Sequence, residues 1–209
     1  MSAASTAVLA PLARSLPPAP SPTLDRYLDA ALRCFTRYGI TRTTAADVAA
    51  ELGVTRATVY RHGGSVEALA RALFVRELHR LLTRIPAHIG TEPDADTVVA
   101  IVTLVAESAR AHPVLAKLLA DEPERARSML LSDLESIVAQ TEPFLAPLLA
   151  LVAPSSCART LTGWLVRTVV VVLLAPVPGD LRAYLDLTVR PVLVTASASS
   201  PIPTEEASP

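Results

Sequence analysis

The stretch ELGVTRATVYRHGG, Glu51 to Gly64, decides the fold. Between Thr55 and His62 it carries two arginines, two threonines, a tyrosine and a histidine, with only Ala57 and Val59 for apolar content. A helix with that surface gains little from burial, because each polar group taken from water needs a partner. Gly53 before it and Gly63–Gly64 after it are helix stops, since glycine enters left-handed geometry without a Cβ penalty. The spacing predicts a short helix from about Thr55 to His62, its polar face turned outward.

The preceding TRTTAADVAAELG predicts another short helix. Thr44 is its N-cap, and Asp47 three residues on makes a capping box with Asp in the Glu place. Ala46, Val48, Ala49 and Leu52 give it an apolar face, and Gly53 ends it. Two short helices joined around a glycine, over about residues 44–63, have the form of a helix-turn-helix. A helix that enters the major groove presents its N-terminal residues to base edges, so small or hydrogen-bonding side chains belong there. Thr55, Arg56, Ala57 and Thr58 meet that demand. Arg56 suits bidentate pairing with guanine, and Ala57 or Thr58 suits contact with a thymine methyl. Val54 and Val59 point back and hold the helix angle. On the pattern alone, a polar surface helix in an ordinary bundle stands beside this reading.

The residues F…YG…T…T…VA…LGV…TVYRH…S…EAL, in this order within 21–81, resemble the DNA-binding domain of the TetR (tetracycline-repressor-type) family of transcriptional regulators. The resemblance implies an all-α fold: a three-helix DNA-binding domain with the helix-turn-helix, linked by a fourth helix to a C-terminal ligand-binding and dimerisation domain. It implies that Thr44 and Thr55 cap helices that meet phosphates, that Arg56, Ala57 and Thr58 face bases, and that Tyr60, Arg61 and His62 serve the backbone. Phosphate contacts set register and affinity, while base contacts set sequence. The chain departs from the family in two places. Gly63 stands where members carry a bulky residue, and Val66 where they carry a phosphate-binding lysine, which implies weaker backbone binding. The implied partners are double-stranded DNA, a second copy of the chain and a small-molecule effector. A ligand-binding or protein-interaction member with weakened DNA binding is the alternative that Gly63 and Val66 raise.

Charge agrees with a division of labour. Residues 21–81 carry nine Arg against six Asp or Glu, whereas 82–209 carry nine basic against fourteen acidic residues. A basic front on an acidic back places an anionic polymer at the front. The first helix runs from Leu24 to the Gly39 stop, and the fourth from the Ser65 cap to about Leu82. PAHIGTEP, Pro86 to Pro93, marks a break, so the expected units are 21–81 and 82–195. They are flanked by an Ala/Pro/Ser extension (1–20) and a tail (196–209) of disordered composition. In the second unit Pro113 stops one helix, and Pro143 and Pro147 interrupt a long one. The last two long helices fall at about 156–175 and 179–194.

Leu161 to Pro178 looks like a membrane span, but Arg167 lies near its middle and prolines close it. A span of ~20 apolar residues excludes a central charge unless it is paired, so a buried or interface helix is expected. Arg167 reads either as an anion-binding residue in a pocket or as an arginine that crosses a dimer seam or meets a carboxylate such as Asp186. The seam candidates are Gly163, Val166, Arg167, Val170, Leu174, Leu181, Leu185 and Thr188. Leu104, Leu118, Met129, Phe144 and Trp164 are the expected pocket walls, and the few aromatics favour an aliphatic or modest-sized ligand.

No nucleophile–base pair, nucleotide loop, metal-ligand spacing or cofactor motif is present, so neither an enzyme nor a metal site is expected. Cys34 and Cys157 match no disulfide framework and read as reduced cytoplasmic thiols.

Overall fold

A computed structural model describes residues 21–89, 93–175 and 177–198; the extension 1–20 and the tail from 199 lie outside the described residues. Eleven α-helices make up the described chain, with one 3₁₀ turn at Ile85–His88. The first four are α1 (Pro22–Tyr38), α2 (Ala45–Leu52), α3 (Arg56–Gly63) and α4 (Val66–Leu82). α1 starts with a proline in its first turn, where the missing N–H costs nothing, and stops at Gly39, φ 84°. Tyr27, Leu28, Ala31 and Phe35 of α1, Val48 and Ala49 of α2, Val59 of α3, and Leu69 and Leu73 of α4 form one buried cluster. It is the core of a three-helix head with α4 laid across it.

α4 then leaves the head. Its Leu82 joins Ile85, Ile89, Ile101, Phe144 and Leu148 in a second cluster that belongs to the body. Between the two cores Arg76 is 3% exposed. Its guanidinium lies 2.8 Å from Asp29 and 3.4 Å from Asp25 on α1, and 3.2 Å from Glu77. Nη2 has no partner among the described residues. This clamp between α1 and α4 has no sequence signature; Arg76 reads as one of many helical arginines until the helices are packed.

The body comprises α5 (Ala95–Ala111), α6 (Pro113–Asp121), α7 (Pro123–Ser132), α8 (Leu134–Leu149), α9 (Ser155–Leu174), α10 (Leu181–Thr188) and α11 (Arg190–Ala198). Its main core unites Val98, Val99 and Val102 of α5 with Leu161 and Leu165 of α9 and Leu185, Val189 and Leu193 beyond. Pro113 forces His112 into extended geometry, ψ 121°, and α5 and α6 meet at a 67° bend. Half-burial beside α4 holds the His112 imidazole below its ordinary value of 6.5, against the opposing pull of Glu77.

Three expectations change. α8 runs unbroken through Pro143 and Pro147. The two prolines are one turn apart, with Ala139 and Pro143 both exposed. The carbonyls they orphan, those of residues 139 and 143, therefore lie on one solvent-side edge, where an unmade bond is cheap. The break falls earlier, at Asp133, whose φ −91°, ψ 0° leaves helical geometry. The expected helix at 179–194 is instead α10 and α11, divided at Val189. Pro191 offers no N–H to the Leu187 carbonyl, which explains the division. α11 also runs to Ala198, beyond the expected boundary of ordered chain at 195.

α9 has the length and mean hydropathy, 1.6, of a membrane span, but half of that window is buried in this fold. Leu161, Leu165 and Val172 face the main core, so α9 packs as a core helix. Arg167 pairs with Glu135 of α8 at 2.5 Å, not with Asp186, which binds Arg190. Its Nη1 also donates to the Gly163 carbonyl at 3.0 Å. A Cβ at Gly163 would lie 2.8 Å from that nitrogen, so the missing side chain gives the guanidinium its seat.

Candidate nucleic-acid interface

The turn between α2 and α3 is built by backbone requirements that the local sequence meets. Thr44 caps α2: its Oγ1 accepts from Asp47 N–H at 3.3 Å, and Asp47 Oδ2 accepts from Thr44 N–H at 2.7 Å. The Thr44 hydroxyl also donates to Asp47 Oδ2 at 2.7 Å, and this bond first, then the one from Thr44 N–H, holds the Asp47 carboxyl below its ordinary value of 3.8. Gly53 takes φ 66°, ψ 34° and donates to the Ala50 carbonyl at 3.2 Å, while Val54 N–H reaches the Ala49 carbonyl at 3.0 Å. This pair of bonds is a Schellman closure, which satisfies two carbonyls at the end of α2 and turns the chain toward α3. A Cβ at Gly53 would meet nothing within 4 Å, so the glycine is required for conformation and not for room.

Thr55 caps α3, its Oγ1 accepting from Thr58 N–H at 3.2 Å. Val59 is fully buried in the head core and fixes the roll of the helix. That roll leaves Thr55, Arg56, Ala57, Tyr60, Arg61 and His62 exposed and Thr58 half-buried. Arg56 makes no hydrogen bond or ion pair with any described residue. By contrast, Arg33 and Arg37 of α1 are both engaged by Glu51, at 2.6 and 3.9 Å. Helix α3 therefore offers an uncommitted guanidinium at its N-terminal end, beside two hydroxyls and a methyl.

At the other end of α3, Arg61 Nε donates to His62 Nε2 at 3.1 Å. His62 stacks on Tyr27, ring centroids 6.0 Å apart and 26° from parallel, and the Arg26 guanidinium lies 4.9 Å above the other aromatic partner, Tyr27. Arg26, Tyr27, His62 and Arg61 thus make one cationic and aromatic ladder across α1 and α3. Arg26 and Tyr27 are absent from the sequence-based set; a basic–aromatic pair in the first turns of α1 was the available signal.

The ladder explains Gly63. A Cβ there would lie 3.1 Å from Leu69 Cδ2 and 3.4 Å from Tyr27 Cδ1. The room a side chain needs is taken by Leu69 and Tyr27. Gly64, at φ 77°, then ends the helix. Val66 packs against the head core at the start of α4.

The other predicted residues are dispersed. Phe144 is fully buried in the α4–α5–α8 core, Leu118 is buried in α6, and Leu104, Met129 and Trp164 are half-buried. A half-open cavity of about 370 Å³ is lined by Arg110, Leu119, Pro123, Arg127, Leu173 and Leu174, none of which belongs to that set. Of the seam candidates, Gly163, Val166, Val170, Leu181 and Leu185 are buried within the chain, Leu174 lines the cavity, and Arg167 and Thr188 are exposed. The apolar side chains that the last three helices do expose are Val171, Tyr184, Leu187, Val192 and Val194, with Leu187 at 79%.

The head matches the sequence profile of "Bacterial regulatory proteins, tetR family" over residues 28–73. Two HTH-type transcriptional regulators, from two strains of Mycobacterium tuberculosis, are each 31% identical over 180 residues, covering 84% of this chain and 88% of theirs. The chain belongs to the TetR family of helix-turn-helix transcriptional regulators, a non-enzymatic family. Its fold is shared with the TetR family repressor AlkX from Dietzia, implicated in biodegradation of n-alkanes: TM-score 0.65 at 19% identity, covering 87% of this chain and all of that one. The fatty acid degradation regulator FadR from Bacillus halodurans gives a TM-score of 0.52 at 19% identity, covering 83% and 95%.

Proposed function

We propose that this regulator is a cytoplasmic homodimeric repressor that binds a palindromic operator and leaves it when a small molecule occupies the body. Residues 21–81 are the DNA-binding unit and 82–195 the ligand-binding and dimerisation unit. The observation that carries the reading is the N-terminal end of α3, where Thr55, Arg56, Ala57 and Thr58 stand together with Arg56 uncommitted. Arg56 pairs with a guanine edge, Ala57 and Thr58 take the neighbouring pair, and Tyr60, Arg61 and His62 hold phosphates. The repressor sign follows AlkX, whose description names it a repressor.

A dimer presents two such helices about 34–36 Å apart, one turn of the duplex. The exposed strip of Val171, Tyr184, Leu187 and Val194 supports association through α9–α11, with the inward-facing Val166, Val170, Leu181 and Leu185 left to the core of each copy. The effector acts by preferring the conformation whose recognition helices are wrongly spaced, which shifts the population off DNA.

Gel shift with DNA from upstream of the protein's own gene tests this. Retarded DNA at low salt, lost in Arg56→Ala and competed by a palindrome within the fragment, supports the reading. No retardation by the folded dimer overturns it.

A further inference from the structure

The cavity of about 370 Å³ lies between the C-terminal turns of α5 and α9 and the α6–α7 junction. That volume is near the low end of the ~300–1,000 Å³ range of small-molecule clefts. Leu119, Pro123, Leu173 and Leu174 give it apolar walls, and Arg110 and Arg127 are its two charged residues. The two arginines differ. Arg127 is exposed and pairs with Glu124 at 2.6 Å. Arg110 is half-buried, its Nη2 donates to the Val172 carbonyl at 3.0 Å, and no described carboxylate pairs with it. One guanidinium is thus held in place by a backbone carbonyl, partly stripped of water, with donors left over for an anion.

A neutral apolar ligand would bury Arg110 further while leaving its remaining N–H donors unpaired, at a desolvation cost. A monoanion with a hydrocarbon tail satisfies both halves of the cavity, its carboxylate on Arg110 and its chain along Leu119, Leu173 and Leu174. The same wall leads to the head. Leu119 and Pro123 flank Asp121 and Glu122. The Glu122 carboxylate accepts from Thr41 Oγ1 at 2.5 Å, and Asp121 lies 3.6 Å from Arg42, both on the α1–α2 turn. Asp121 is itself steadied by Lys117 at 2.8 Å.

Resting on the reading of the chain as a ligand-responsive regulator, we propose that this cavity is the effector site, that it takes an amphipathic monocarboxylate bound through Arg110, and that occupancy reaches the DNA-binding head through the Glu122–Thr41 contact. The ligand displaces the α6–α7 junction, and the residues that form the cavity wall there are contiguous with those that grip the head.

Calorimetric titration of the full chain with octanoate and with 1-octanol tests the site. Octanoate binds at least about tenfold more tightly than octanol, the worth of one charge-assisted contact, and Arg110→Gln removes that preference. Arg110→Lys, which keeps the charge, retains most of it. Equal binding of the two ligands, or an unchanged preference in Arg110→Gln, overturns the site. The wild-type comparison decides even if that variant fails to fold.

The coupling is read by adding octanoate to the complex with upstream DNA. Octanoate lowers DNA affinity of the wild type, and Thr41→Val binds octanoate within about twofold yet loses most of the shift. A full shift in Thr41→Val overturns the route through Glu122. Failure of the wild type to bind DNA overturns the proposed function instead, while the calorimetry still decides the site.

Discussion

Helices α3 and α9 each carry two arginines and one glycine, and Arg56 and Arg167 are used in opposite ways. In α9 the arginine is consumed by the fold: Arg167 sits in the gap left by Gly163, donates to its carbonyl and pairs with Glu135. In α3 the glycine also makes room, but for Leu69 and Tyr27 of the head core, while Arg56 at the far end makes no hydrogen bond or ion pair among the described residues. The contrast teaches where to look for a partner: at a charge whose donors the fold leaves unmet, on a helix that Val59 and the Thr55 cap hold in place.

The sharpest way to break the contrast is Gly63→Leu. The Cβ alone presses on Leu69 and meets Tyr27, so the rest of a leucine has to displace two packed side chains of the head core. Overpacking of this kind costs about 1–3 kcal/mol. Thermal unfolding should show the loss, and DNA affinity should fall with it, because Tyr27 carries the His62 stack. A variant as stable as the wild type would mean that the space at residue 63 is not committed.

Arg56→Ala separates the two roles that Gly63→Leu confounds. The side chain is exposed and makes no hydrogen bond or ion pair among the described residues, so stability should stay within about 0.5 kcal/mol. Operator affinity should fall by about 1–3 kcal/mol, with discrimination relaxed at one base position. Fluorescence anisotropy on a labelled operator and on a point-substituted one reads both. Equal losses on the two sequences would assign Arg56 to the phosphate backbone.

The head was legible because its determinants are local. The Thr44–Asp47 capping box, the Gly53 closure and the Thr55 cap are each specified within a few residues, and the boundaries of α2 and α3 follow from them. The body was not, because its determinants act between segments remote in sequence. Pro143 and Pro147 looked like breaks, yet their shared solvent-side edge makes them tolerable, and that edge exists only once α8 is packed. Val166, Val170, Leu181 and Leu185 carry the same helical periodicity whether they face a core or a partner; only the packing shows that they turn inward. Arg110 likewise reads as an ordinary cation in a last helical turn, and its isolation appears only when α9 closes beside it.

Thr44→Ala tests the local side of the comparison. Loss of an N-cap costs about 0.5–2 kcal/mol. The substitution also acts on acid stability. Asp47 is depressed below 3.8 chiefly by the Thr44 hydroxyl, so its contribution is present above that value and is lost as pH falls through the lower, folded one. Without the hydroxyl that contribution shrinks, and the difference between wild type and variant should narrow on acidification below pH 3.8. A gap that widens there would mean that Asp47 is held by something other than its cap.

Arg167→Met closes the comparison with the smallest effect. The Arg167 side chain is 47% exposed and Glu135 78% exposed, so their pair is screened and contributes about 0–1 kcal/mol. Methionine keeps much of the aliphatic packing, and the partner it releases is a solvated carboxylate with no buried charge left behind. Unfolding should therefore shift little, and DNA affinity should match the wild type. If Arg167 instead crosses to a second copy, dilution will expose it: sedimentation of Arg167→Met would then show monomers at concentrations where the wild type is a dimer, with Leu187→Glu as the reference for a broken seam. An unchanged dimer leaves Arg167 as what its geometry describes, a charge satisfied within its own chain, and that is the property Arg56 lacks.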